Sequence, residues 1–110
     1  MNSCEGNTKI SEVAKRYAEV VRHTLKAHVK MIVLFGSHAR GDANDGSDYD
    51  FVVVLDRQDE TLRDKVVDAG VTLMNETDRL CAALVYAPDQ WERVKHSPLG
   101  WNVLKEGLVL

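Results

Sequence analysis

Apolar residues follow two different patterns along the chain. Between residues 11 and 29, and again between 61 and 74, apolar side chains recur at helical spacing with charged residues between them. Continuous apolar runs at 31–35, 51–55 and 80–86 have the length and the Val and Leu content of buried strands, and they predict strands over 31–36, 49–55 and 79–86. The pattern therefore predicts two amphipathic helices and three strands in the order α-β-β-α-β. Gly70 interrupts the second helix and indicates an early end for it.

The last quarter of the chain predicts two short helices. Asp89 is the expected N-cap of the first, and Ser97-Pro98 starts the second, which Gly107 follows. The full order α-β-β-α-β-α-α predicts an α+β fold, a small mixed β-sheet with helices packed on it. The apolar end, 108–110, is expected either to tuck against the fold or to join an interface.

Length and composition restrict the classes of function. The chain has 110 residues, of which 45% are apolar, enough for one domain, expected over 8–110 behind a polar tail at 1–7. The net charge of −3 argues against an extended nucleic-acid surface but allows a single nucleotide. Cys4 and Cys81 match no metal-binding spacing, and Cys81 is expected in the core. No apolar run is long enough to cross a membrane, so we expect a cytoplasmic protein.

A glycine-serine pair stands where the first strand ends. Gly36 permits a tight turn and a close approach of the backbone to a ligand. Residues 37–40 can open a short helical turn whose free N–H groups attract phosphate. Ser37 can donate its hydroxyl to the same phosphate, and Arg40 can neutralise a second phosphate oxygen. His38 could contact a phosphate or the acceptor, but the favoured interpretation is a variable residue of the turn.

Two aspartates stand ten residues later, where the second strand begins. Asp48 and Asp50 flank Tyr49, so in a strand both carboxylates point to the same face. Their repulsion is relieved by a hard cation such as Mg²⁺, which binds one or two carboxylates together with substrate phosphates. An isolated Asp-x-Asp is more often a solvated turn. The two halves of the motif become neighbours only if the two strands run antiparallel.

The segment 34–54 resembles the signature of the DNA polymerase β-like nucleotidyltransferase superfamily. Gly-Ser-His-Ala-Arg-Gly-Asp followed by Ser-Asp-Tyr-Asp-Phe is similar to its minimal nucleotidyltransferases (MNT), many of them antitoxins paired with a HEPN-domain toxin. The resemblance implies the polymerase β-like fold and a Mg²⁺-dependent transfer of a nucleoside monophosphate, usually AMP from ATP, to a hydroxyl. That hydroxyl belongs to a Tyr of the HEPN partner in some members.

The resemblance also implies the residue roles. Gly36 and Ser37 bind the triphosphate, and Asp48 and Asp50 are catalytic metal ligands. We place Arg40 and Ser47 with the nucleotide-binding residues, because both adjoin the two halves of the motif.

The chain departs from this superfamily in one respect. A third carboxylate usually comes from a later strand, but the matching run 80–86 contains no acid, and Asp78 lies just before it. Two functions therefore stay open: an active nucleotidyltransferase, and a nucleotide-binding module that neutralises a HEPN ribonuclease by binding alone. The oligomeric state is open too, including a homo-oligomer. Trp91 and Trp101 are expected to pack in the core or on a partner surface.

Overall fold

The computed structural model describes residues 11–44 and 46–110. Its helices and strands are α1 (Glu12–Leu25), a 3-10 turn (Lys26–His28), β1 (Val29–Phe35), α2 (Ser37–Arg40), β2 (Tyr49–Leu55), α3 (Glu60–Thr77), β3 (Cys81–Tyr86), α4 (Pro88–Val94), α5 (Pro98–Glu106) and β4 (Leu108–Val109). The predicted α+β class and order of major elements are confirmed. The predicted tail at 1–7, with Cys4, lies outside the described residues.

The four strands form one mixed sheet in the order β3-β2-β1-β4. β1 runs antiparallel to β2, with Phe35 opposite Asp50, which confirms the predicted antiparallel neighbours. β2 runs parallel to β3, and Asp50 lies opposite Ala82 there. The short β4 pairs with β1, so the apolar end of the chain is partly tucked against the sheet.

Apolar side chains bury both faces of the sheet, which explains why the strands are continuous apolar runs. On one face α1 and α3 cover the core, and the rings of Tyr17 and Phe51 stack with centroids 4.1 Å apart. On the other face Trp91 and Val103, from α4 and α5, pack on Val52. Trp91 is in the core as predicted, whereas Trp101 is 59% exposed. Cys81 is also buried as predicted. No helix among the described residues is long and apolar enough to cross a membrane.

Several predicted boundaries were wrong, because tertiary contacts and caps decide where elements end. α1 stops at Leu25 because Lys26 adopts a positive φ of 52°. His28, which lies within the helix predicted over 11–29, is outside α1 and places Nδ1 3.0 Å from a carboxylate oxygen of Asp56. The N-cap of α4 is Ala87 rather than Asp89, and the Ala87 N–H donates to Oε1 of Gln90 at 2.8 Å.

Gly70 does not end α3, which continues to Thr77. Its role is close packing, because a Cβ at Gly70 would lie 2.9 Å from the carbonyl oxygen of Cys81. The helix therefore approaches β3 more closely than any larger residue would allow. The early helix end predicted from Gly70 was wrong because the missing side chain serves this tertiary contact.

We expect Gly70→Ala to destabilise the protein by about 1–2 kcal/mol, because overpacking against backbone outweighs the gain in helix propensity. Asn75→Ala, at an exposed position of the same helix, is the matched control and should be neutral or slightly stabilising. Urea unfolding measures both variants. A Gly70→Ala protein at least as stable as the parent would contradict the close approach.

Candidate functional site

The antiparallel pairing of β1 with β2 brings the glycine turn and the acidic pair together. Gly36 follows β1 directly and has φ 80° and ψ −158°, a conformation that favours glycine. A Cβ at Gly36 would lie 2.7 Å from Oδ2 of Asp50. The backbone of the turn therefore passes next to the carboxylate, and the two predicted halves of the site share one corner of the sheet.

The turn continues into the single-turn helix α2. The Gly36 carbonyl accepts hydrogen bonds from the N–H groups of Ala39 and Arg40, both at 3.0 Å. Gly41 closes the turn in the left-handed conformation, with φ 87°. Ser37 stands half-buried at the first position of α2, where backbone N–H groups have no acceptor within the helix. The chain thus presents donors at the same corner as the carboxylates.

The two aspartates differ in their surroundings. Asp50 is half-buried in β2, whereas Asp48 is exposed just before the strand. Burial raises the pKa of Asp50, the negative charge of Asp48 raises it further, and His38 and Arg40 oppose the shift. The ionised form of Asp50 is therefore disfavoured in the protein alone, which is the condition that a bound cation relieves.

The donor set fits a hard divalent cation that shares its coordination sphere with phosphates. Asp48 and Asp50 provide carboxylate oxygens, and Mg²⁺ usually keeps only one or two carboxylates when phosphates bind it as well. Within the described ranges no group of three or more His, Cys, Asp or Glu side chains could hold a metal. Opposite Asp50 on β3 stands Ala82, and Asp78 is the exposed, left-handed cap of α3. β3 itself, Cys81–Tyr86, contains no acidic residue.

His38 joins the two halves of the site, and whether it also contacts a ligand stays a prediction. Its ring stacks on Tyr49 with centroids 3.6 Å apart and planes 8° apart. Its Nε2 lies 3.0 Å from the Ser47 carbonyl oxygen. Tyr49 lies between Asp48 and Asp50 in the sequence, and its side chain is buried. Its stack with His38 therefore fixes α2 against the start of β2.

Arg79 completes this cluster, and sequence reasoning missed it. Its guanidinium lies 5.4 Å from the Tyr49 ring centroid, and its NH2 group donates to the Ser47 carbonyl at 3.4 Å. With His38 and Asn44 it lines an open groove of about 320 Å³ beside the turn. The only signal in the sequence was a basic residue just before strand three. Its proximity to Tyr49 required the parallel pairing of β2 with β3.

Arg40 and Ser47, both predicted to bind nucleotide, make other contacts in the structure. Arg40 donates from Nε to Asp42 at 3.1 Å and from NH1 to Glu106 of α5 at 3.0 Å. The Ser47 hydroxyl donates to Oδ1 of Asn44 at 3.1 Å and accepts the Asn44 N–H at 3.0 Å. Both residues thus shape the loop around the site, and a role of either in binding nucleotide stays a prediction.

Residues 14–99 match the family model described as "Nucleotidyltransferase domain". The chain belongs to this family. The matched residues include the glycine turn and both aspartates. Membership in this family makes a nucleotide the substrate class of the chain.

Known proteins similar to this nucleotidyltransferase domain extend the comparison. The chain is 30% identical to "Putative protein adenylyltransferase MJ0604" of Methanocaldococcus jannaschii over 87% of this chain and 92% of that protein. An antitoxin–toxin crystal structure with AMP-PNP has a chain of the same fold, with a TM-score of 0.62 and 19% identity, covering 90% of this chain and 72% of that one. A complex of tri-AMPylated Shewanella oneidensis HEPN toxin with MNT antitoxin gives a TM-score of 0.52 and 17% identity, covering 88% and 70%.

We expect Asp50→Asn to stabilise the metal-free nucleotidyltransferase domain near neutral pH. When the pKa of a carboxyl is raised in the folded state, the protein loses folding stability as the pH rises from the unfolded-state pKa, about 3.9, through the folded-state pKa. The stability advantage of Asp50→Asn should therefore vanish at low pH and be complete above the raised pKa. Thermal unfolding across this pH range measures it, with the exposed Asp68→Asn as control. A less stable Asp50→Asn protein at pH 7 would be the opposite result.

Proposed function

We propose that this chain transfers AMP from ATP to a hydroxyl group of a protein partner, with Mg²⁺ held by Asp48 and Asp50. The observation that carries the proposal is the 2.7 Å separation between the Cβ position of Gly36 and Oδ2 of Asp50. It puts a backbone turn suited to phosphate beside carboxylates suited to the cation that accompanies phosphate. The relative named as a protein adenylyltransferase supports AMP and a protein acceptor.

The turn at Gly36 and Ser37 is the proposed binding site of the triphosphate. Ser37, the first residue of α2, donates its hydroxyl and its N–H to a phosphate oxygen. His38 keeps this turn in place through its stack on Tyr49 rather than by touching phosphate. The nucleotide is thus oriented by backbone that is itself anchored to β2.

The aspartates have the proposed task of holding Mg²⁺ against the phosphates. The cation, when bound, neutralises charge on the triphosphate and favours departure of pyrophosphate. The acceptor hydroxyl forms a new bond to the α-phosphorus, and the bond from that phosphorus to pyrophosphate breaks. With no third acid beside the pair in the described ranges, we infer that the hydroxyl proton passes to water or to the acceptor protein.

A protein acceptor also fits the surface beside the site. α5 exposes Leu99, Trp101 and Leu104, with 38%, 59% and 60% of each residue accessible. The same helix contacts the glycine turn through the ion pair of Glu106 with Arg40. We infer that the acceptor docks on α5, and the MNT complexes of the same fold favour a HEPN-domain protein in this role.

We expect Asp48→Asn and Asp50→Asn each to lower AMP transfer at least about 100-fold, because each removes a charged metal ligand. The assay is label transfer from α-labelled ATP in an extract of cells that contain the acceptor. Asp68→Asn, which removes an exposed carboxylate of α3, should keep the parental rate. Equal labelling by the parent and the Asp48→Asn/Asp50→Asn double variant would refute the proposed chemistry.

A binding module without chemistry is the second candidate, and the position of Ala82 favours it. Ala82 is exposed on β3 directly opposite Asp50, where a third acid would share the face of the pair. Such a module would bind Mg-ATP through the same turn and aspartates, and would neutralise a HEPN ribonuclease by contact alone.

We expect Ala82→Asp to raise the transfer rate about tenfold or more, because it supplies a proton acceptor beside the reacting groups. Ala82→Asn is the uncharged control and should leave the rate unchanged. The same label transfer is measured beside calorimetric binding of Mg-ATP. A chain that binds Mg-ATP and transfers no label with either Ala or Asp at position 82 would favour the binding module.

A further inference from the structure

α3 exposes an apolar stripe along one side. Val67, Val71 and Met74, spaced along one helix face, have 59%, 54% and 37% of their surface accessible. Leu80 extends the stripe with 47% exposed. These side chains and the start of β3 line an apolar groove of about 330 Å³. We call this surface the α3–β3 face.

The strand that borders this face is an unprotected edge. β3 is the outermost strand of the sheet, and it pairs with β2 in a continuous register without a bulge. Its six residues, Cys81–Tyr86, include no charge and no proline. Edge strands in proteins are usually shielded by charged residues, proline, bulges or a covering element. An open edge beside an apolar helix face indicates a surface that a partner covers.

Two pairs of residues on α3 and its C-cap are complementary about one midpoint. Val67 and Met74 lie at equal distances in sequence from the midpoint between Gly70 and Val71. Arg63 and Asp78 lie at equal distances from the same midpoint, and neither has an ion-pair partner within the described part of the chain. If a second α3 runs antiparallel, Val67 therefore meets Met74, and Arg63 at one end meets Asp78 at the other.

We propose that the α3–β3 face binds a second copy of this chain about a two-fold axis near Val71. Val67 of one copy packs on Met74 of the other, and Arg63 pairs with Asp78 of the other copy at both ends. An isologous contact of this kind uses one surface twice, so each of these two pairs forms twice. The open edge of β3 is covered in the same contact.

The proposed dimer and the proposed transfer reaction are tested by separate measurements. α3 packs on the sheet face opposite to the one that Asp50 shares with Val52. The start of β3, which lines the same groove, includes Ala82 opposite Asp50, so the dimer contact also borders the functional site. Loss of the dimer and loss of AMP transfer are separate observations.

The first test measures the mass of the chain by light scattering after size exclusion, over a dilution series. The parent is expected to be a dimer that dissociates on dilution, and Val71→Glu a folded monomer, because a charge would be buried twice at the axis. Leu104→Glu places the same charge on the exposed face of α5 and should leave the dimer intact. A parent that is monomeric at every concentration would overturn the proposal, as would a dimer equally weakened by Leu104→Glu.

The second test uses the ends and the centre of the stripe. Arg63→Glu and Asp78→Lys should each weaken the dimer about tenfold through two symmetry-related pairs, and the double reversal should recover most of that loss. Under mild oxidation Val71→Cys should form an intermolecular disulfide, whereas Leu104→Cys should not. The two-fold arrangement would be contradicted if the double-reversal variant dimerised more weakly than both single variants. It would also be contradicted if folded Val71→Cys protein formed no intermolecular cross-link.

Discussion

The close contact between the Gly36 backbone and the Asp50 carboxylate is the constraint on which the site depends. It exists because β1 and β2 pair antiparallel with Phe35 opposite Asp50, so a strand end and a strand start meet at one corner. Any side chain at Gly36 would occupy the space that this carboxylate takes. A phosphate bound at the turn is therefore held next to the acidic pair. The raised pKa of Asp50 is the electrostatic counterpart of this crowding.

Much of the fold could be predicted because its signals are local. The apolar runs identified β1, β2 and β3, and the Gly-Ser and Asp-x-Asp motifs identified the corner where they meet. Helix ends were harder, because contacts remote in sequence determine them. His28 turned from an expected helix residue into a partner of Asp56, which lies beyond β2. Gly70, expected to end α3, lets it approach Cys81.

The supporting residues of the site were the least predictable part. His38 and Arg79 both contact Tyr49, but His38 follows β1 and Arg79 precedes β3. The antiparallel pairing of β1 with β2 places His38 there, and the parallel pairing of β2 with β3 places Arg79. Arg40, which is predicted to contact a phosphate, pairs in the structure with Asp42 and Glu106. Sequence spacing near the motif predicted which residues lie close by. It could not predict which of several available carboxylates each basic side chain would contact.

The bond between Arg40 and Glu106 also has a consequence for communication across the molecule. This ion pair connects the helical turn after Gly36 with the end of α5, two segments far apart in the chain. A nucleotide whose charge attracts Arg40 and a protein that displaces Glu106 would both act on one guanidinium. If both bind the guanidinium, they compete for it; if the protein only removes Glu106, it frees Arg40 for the nucleotide. Thermodynamic linkage then requires that each ligand change the affinity of the other by the same factor. One surface arginine would thus make two separate binding events cooperative or mutually exclusive.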